Sequence, residues 1–166
     1  MTRRLSFVAA LGVTIGMVAC AAPGDEAPRW PIASARSHAQ CPLAGDRPAA
    51  RLVDSAAQWS SLARTSAERA AGTPVDWSRE QLIVVSLGMK PTLGHQIAAA
   101  GDSLSLMGRD ARLAVKVSAP APDAMTASAL SHPCVVLRVQ RRAWQDLDVV
   151  DQTGTTLWHG ALSASR

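Results

Sequence analysis

Leu82-Ile83-Val84-Val85-Ser86-Leu87 is a dense apolar run rich in Val and Ile, set between Glu80 and Gly88. It is too short for a globular helix, and its β-branched content suits a pleated, buried segment, so it reads as a central strand. Downstream, apolar stretches at 97–100, 104–107 and 113–117 follow at short intervals, separated by Gly101-Asp102 and by Gly108-Arg109-Asp110 as turns. Further strands are predicted at 135–139 and 147–150, and residues 151–154 turn the chain into a last strand near 156–158. Connections this short leave no room for a row of crossover helices.

Upstream of the run the period changes. Asp54 is placed to cap a helix whose inward stripe carries Trp59, Leu62, Ala63, Ser66 and Ala70, at steps of three and four, until Gly72 and Pro74 stop it. Trp59 is then expected to anchor the helix on the sheet. The fold class predicted is α+β, a mostly antiparallel β-sheet with one principal N-terminal helix; a β-sandwich-like domain with a short helix is the alternative. The 118–131 connection holds Pro120 and Pro122, which cannot donate to a sheet ladder, so it runs outside the sheet as a partner-binding loop or a long surface connection.

The first residues have the layout of an export signal, with Arg3 and Arg4, an apolar core over 5–18, and Met17-Val18-Ala19 before Cys20. The core is shorter than the roughly 20 residues a membrane-spanning helix needs. Cleavage before Cys20 with acylation of that cysteine is the expectation, and an ordinary signal-peptidase site ending at Ala19 or Ala22 is the alternative. Residues 1–19 are thus assigned to a lipoprotein signal, 20–39 to the attachment site and a Pro-containing tether, and 40–166 to a single domain. Trp30 and Ile32 interrupt the tether and are candidates to dock on the domain or at the lipid interface. The cell envelope follows as the location: the outer membrane facing the periplasm, with inner membrane or cell surface as alternatives.

Removing residues 1–19 takes away Arg3 and Arg4 from 17 basic residues, leaving 15 against 13 acidic ones and lowering the net charge from +4 to +2. Near-balance of this kind gives no electrostatic footprint for nucleic acid. With Cys20 assigned to lipid, Cys41 and Cys134 are the remaining cysteines, and in an exported chain they are expected to form one disulfide, two separate buried thiols being the other reading. Two cysteines with no CxxC or matched histidine spacing do not make a four-ligand metal site, and neither metal nor cofactor is expected. His38, His95, His132 and His159 are isolated from one another, and no HExxH, GxSxG or phosphate-cradling glycine motif occurs. A non-catalytic role is the expectation.

Gly88-Met89-Lys90-Pro91-Thr92-Leu93-Gly94-His95 follows the central run as a loop, with glycines at both ends and a fixed proline dihedral between them. Taken with Trp59, Val75-Asp76-Trp77, Gln96-Ile97 and Ser131-His132-Pro133, the pattern resembles the C-terminal domain of the protease complex subunit PrcB over roughly residues 53–142. In that family a strand commonly ends in Gly, followed by Lys or a similar residue, Pro-Thr, two glycines and Tyr. Gly88, Pro91, Thr92 and Gly94 match; Leu93 stands in place of the first paired glycine and His95 in place of the aromatic. The resemblance implies an exported or lipid-anchored protein associated with a cell-surface protease complex. It makes Gly88, Lys90, Pro91, Thr92, Gly94 and His95 the partner-binding loop and another envelope protein the partner. A wedge acting like a protease inhibitor, and a small-ligand or hydrolytic cleft around His95, are the alternatives.

Overall fold

The computed structural model describes residues 27–43, 45–63 and 74–162. Its elements are β1 (Arg29–His38), β2 (Ala49–Val53), α1 (Ala56–Leu62), β3 (Glu80–Ser86), β4 (Gln96–Ala99), β5 (Ser103–Met107), β6 (Asp110–Ser118), β7 (Cys134–Gln140), β8 (Asp146–Val150) and β9 (Thr156–Ala161). The strands form one sheet in the order β2-β3-β7-β1-β5-β6-β8-β9, with β4 paired to the upper half of β6. Every pairing is antiparallel except β6 with β8. The two ends of the order, β2 and β9, approach each other, so the sheet curls into a nearly closed barrel.

The α+β expectation is therefore corrected: this is a mostly β domain, with one helix, of seven residues, among the described residues. The reason lies in the helix itself. Ser55, not Asp54, is the N-cap, accepting from the Gln58 amide, while the Gln58 side chain accepts from the Asp54 amide, a reciprocal capping box. The helix ends at Leu62, and no α1 residue is fully buried. Trp59 and Leu62 still pack on the sheet as expected, whereas Ser66 and Ala70 lie outside the described residues. A sandwich is not formed either, because a single sheet closes on itself.

Two apolar clusters share β3. Ile83, Val85 and Leu87 point into the barrel interior with Leu104, Leu113, Val115, Leu137 and Leu147. Leu82 and Val84 point outward, joining Val53, Cys134 and Leu43 in a second cluster covered by Trp59, Leu62, Val75 and Trp77. Burial on both faces explains why β3 lacks the alternation of β6, whose exposed Arg112, Ala114 and Lys116 interleave with buried Ala111, Leu113 and Val115.

Residues 29–38, within the stretch expected to be tether, form the longest strand of the sheet. Trp30 and Ile32 dock on the interior cluster, which settles their destination in favour of the domain. No disulfide joins Cys41 and Cys134 in this structure. Cys134 is wholly buried in the outer cluster, and the half-buried Cys41 packs against that cluster.

Asp151 fixes the β8–β9 turn, accepting from the Thr153 hydroxyl at 2.6 Å and from the Thr153 and Thr155 amides at 2.8 and 3.0 Å. Its carboxyl is held below the ordinary 3.8, chiefly by the Thr153 hydroxyl. The stabilisation this provides is fully present above the unfolded value and is lost as pH falls through the lowered folded value. An NMR titration should place the Asp151 midpoint below 3.8. In urea melts, Ile83→Ala should cost about 2–5 kcal/mol, because the side chain is fully buried and its removal leaves a cavity between packed strands.

Candidate functional site

β1 runs the length of the barrel and defines two poles. Its first residues lie beside the end of β5, the β5–β6 turn and the 141–145 connection. Its last residue, His38, pairs with Cys134, at the pole where the 87–95 loop and the 119–133 connection emerge. The predicted loop residues thus sit at the end of the barrel opposite the start of β1.

Their local geometry begins at Ser86. Its hydroxyl accepts from the Gly88 amide at 3.0 Å, which turns the chain out of β3. Gly88 has a φ of +72°, and a Cβ there would lie 2.6 Å from the Asp46 carbonyl oxygen, so both the turn and the approach of the 46–47 backbone require glycine. Lys90 and Ser131 exchange two backbone hydrogen bonds, at 2.8 and 3.0 Å. The Ser131 hydroxyl donates to the Thr92 carbonyl at 2.8 Å, and the Leu93 amide donates to Ala127 at 3.4 Å. Gly94, at φ +92°, allows Pro120 to close against the loop, its Cγ 3.0 Å from where a Cβ would stand. The two connections brace one another into a single folded cap.

Pro91, Leu93 and Gly94 are exposed, while Lys90, Thr92 and His95 are half-buried. The apolar content of this surface was not anticipated: Leu93, Met125 and Leu130 project from it with relative exposures of 39, 104 and 60%. Leu93 had been read only as a replacement for glycine. Ser131 is a polar residue that is almost wholly buried, because its hydroxyl and backbone both serve the loop.

Two open cavities lie elsewhere. One of about 440 Å³ runs along β2 and α1 between Leu43, Ala50 and Leu62; the other, of about 630 Å³, is bounded by Asp76, Arg79, Glu80 and Arg141. Neither is lined by His95. Asp76 in the second is held below its ordinary value, mainly by the Ser78 hydroxyl, and so is committed to its own turn. The strongest polar grouping on the barrel wall is a row in cross-strand register, Arg29, Ser105, Arg112, Asp148 and His159. His159 Nδ1 and Asp148 are 2.5 Å apart, with Arg112 3.6 Å from the same carboxylate. Ser105 stands three strands from His159, about 14 Å at normal spacing, so the row does not assemble a hydrolytic triad. Among the described residues no group of three or more His, Cys, Asp or Glu side chains is arranged to hold a metal. Cys20 lies outside the described residues.

What the fold defines is a small barrel-like β domain whose one elaborated end is a braced loop cap. Residues 82–140, from within β3 to the end of β7, match the model of the PrcB C-terminal family. The match is narrower than the 53–142 span of the resemblance, but it contains the whole 88–95 loop and its brace. No curated protein sequence and no solved structure matches the chain.

Gly88→Ala should destabilise the fold by at least about 1–2 kcal/mol, the cost of a left-handed conformation for a residue with a Cβ, before the contact with Asp46 is added. Gly101→Ala, where a Cβ meets nothing within 4 Å, should leave the urea midpoint nearly unchanged. Equal effects of the two substitutions would overturn this account of the loop.

Proposed function

We propose that this protein is an exported, lipid-anchored accessory subunit that uses its loop cap to hold another envelope protein, in the context of a protease complex. The single observation that carries the reading is the braced 88–95 loop: a pre-shaped surface with Leu93, Met125 and Leu130 exposed beside it. Apolar groups held on an ordered support lose little further freedom on binding, so burying them under a partner yields affinity. The family match supports the protease-complex context. Acylation at Cys20 supplies the membrane attachment, in the envelope and with the outer membrane's periplasmic face as the site, and the domain acts by contact rather than by catalysis.

A wedge that blocks a protease active site is the variant of this reading that the exposed Leu93 favours, since it projects from a loop tied through Thr92 on one side and Gly94 on the other.

The test is crosslinking in the native envelope followed by identification of what copurifies, with Cys20→Ser expected to leave the membrane fraction. A protease or a lipoprotein of its complex should be enriched. Leu93→Asp should reduce its recovery about tenfold with the thermal midpoint unchanged, as expected for loss of an interfacial anchor. Full recovery with Leu93→Asp would remove the loop from the interface. Addition of the purified domain to the copurified protease separates the two mechanisms: falling peptidase activity identifies a wedge, unchanged activity an accessory contact.

A further inference from the structure

The pole at the start of β1 has its own surface chemistry. Here the Pro28 carbonyl accepts from the Leu106 amide at 2.7 Å, so the chain enters the domain beside the β5–β6 turn of Met107, Gly108 and Arg109. Met107 is 49% exposed, the one large exposed apolar side chain of the described residues that does not belong to the loop cap. Arg29 and Arg109 are exposed around it. Arg142 donates to the Gly108 carbonyl at 2.9 Å, and its guanidinium lies 5.0 Å above Trp30 and 5.8 Å from Trp144, whose rings meet edge to face at 6.1 Å. Among the described residues Asp110 and Asp146 lie beside this turn and are half-buried, and Asp110 accepts from the Asp146 amide. The outermost described groups here are a methionine and arginines, with an aromatic pair behind them, and Asp25 and Glu26 precede Arg29 in the chain.

We propose that this pole is a membrane-contacting face that rests on anionic phospholipid headgroups and so holds the loop cap away from the bilayer. The inference rests on acylation at Cys20. From Cys20 to Arg29 the extended chain reaches at most about 30 Å, and β1 itself is about 33 Å long. Even fully extended, this tether falls short of the barrel's length, so the pole at the start of β1 is the one within reach of the bilayer surface. Arginine and an apolar tip suit the headgroup layer, and each basic residue near an anionic leaflet favours contact.

Two exposed methionines at opposite poles provide an internal comparison. The full lipidated protein is reconstituted in vesicles of phosphatidylcholine alone or with phosphatidylglycerol, floated, and treated with dilute peroxide; sulfoxide at Met107 and Met125 is then read by mass spectrometry. On anionic vesicles Met107 oxidation should slow several-fold relative to neutral ones, with Met125 unchanged. Arg109→Gln, at an exposed turn position, should weaken the contact about fivefold, the worth of one basic residue at such a surface, and reduce that protection accordingly. Flotation with equal Met107 rates on both vesicles, or equal protection of Met107 and Met125, overturns the orientation while leaving the anchor intact. Failure to float at any composition overturns the anchor, and the orientation with it.

Discussion

The burial of β3 on both faces is the constraint from which the remaining architecture follows. A strand with one wet face needs one core; β3 sends Ile83 and Val85 into the barrel and Leu82 and Val84 out of it. The outward pair cannot be left against solvent at roughly 25 cal/mol per Å² of apolar area, and closing the barrel does nothing for it. The short α1 helix with Trp59, together with Val75 and Trp77, supplies the missing cover. The helix is thus a lid on one wall, and seven residues suffice for it. Arg138, on the neighbouring β7, meets Glu80 at 3.0 Å near the edge of that cover, so the outward face passes from apolar to ionic at its margin.

The same strand determines where the functional surface can be. Held rigid along its length, β3 delivers Ser86 and Gly88 to a fixed point at one pole, and β7 enters from that pole in register, with Cys134 opposite Ser86. Loops leaving two adjacent, fully buried strands start only one strand spacing apart. That proximity allows Lys90 and Ser131 to pair outside the sheet, and it turns two long connections into one braced surface. Loop conformation at this site is consequently coupled to the core: Gly88 sits against the 46–47 backbone, which leads directly into β2 on the other side of β3.

Legibility in the sequence tracked how much each segment buries. β3, β4, β5, β6, β7, β8 and β9 are all legible in the sequence, because their apolar residues are numerous enough to carry a pattern without knowledge of neighbours. β1 was read as tether for a physical reason. It contains Pro31, it buries little beyond Trp30 and Ile32, and its upper half is exposed, so its strand character comes from hydrogen bonding to β7 and β5. Backbone pairing of that kind leaves almost no trace in side-chain pattern. β2 was missed because Leu52 and Val53 serve opposite clusters and so do not alternate with polar residues. The helix was overextended because steps of three and four continue in the sequence past the point, at Ala63, where the helix ends. The loop residues were recognised individually, while their brace from 119–133 was not, since Ser131 as a donor to Thr92 is a long-range fact.

A closed barrel with a single elaborated end also bears on why the apolar groups of the cap are tolerated. Leu93, Met125 and Leu130 are spread over two connections rather than along an edge strand, so they offer no ladder for another strand to extend. The near-closure of the barrel pairs most strand edges, and β2 and β9 approach each other at the remaining seam. Leu93, Met125 and Leu130 are thus exposed on a surface whose backbone is already hydrogen-bonded within itself, through Lys90, Thr92, Leu93 and Ser131. Such a surface favours side-chain recognition of a shaped partner over indiscriminate β-pairing. On the proposed reading, specificity is accordingly a property of the brace: whatever shifts the 119–133 connection displaces Leu93, Met125 and Leu130, even with β3 and its two cores unchanged.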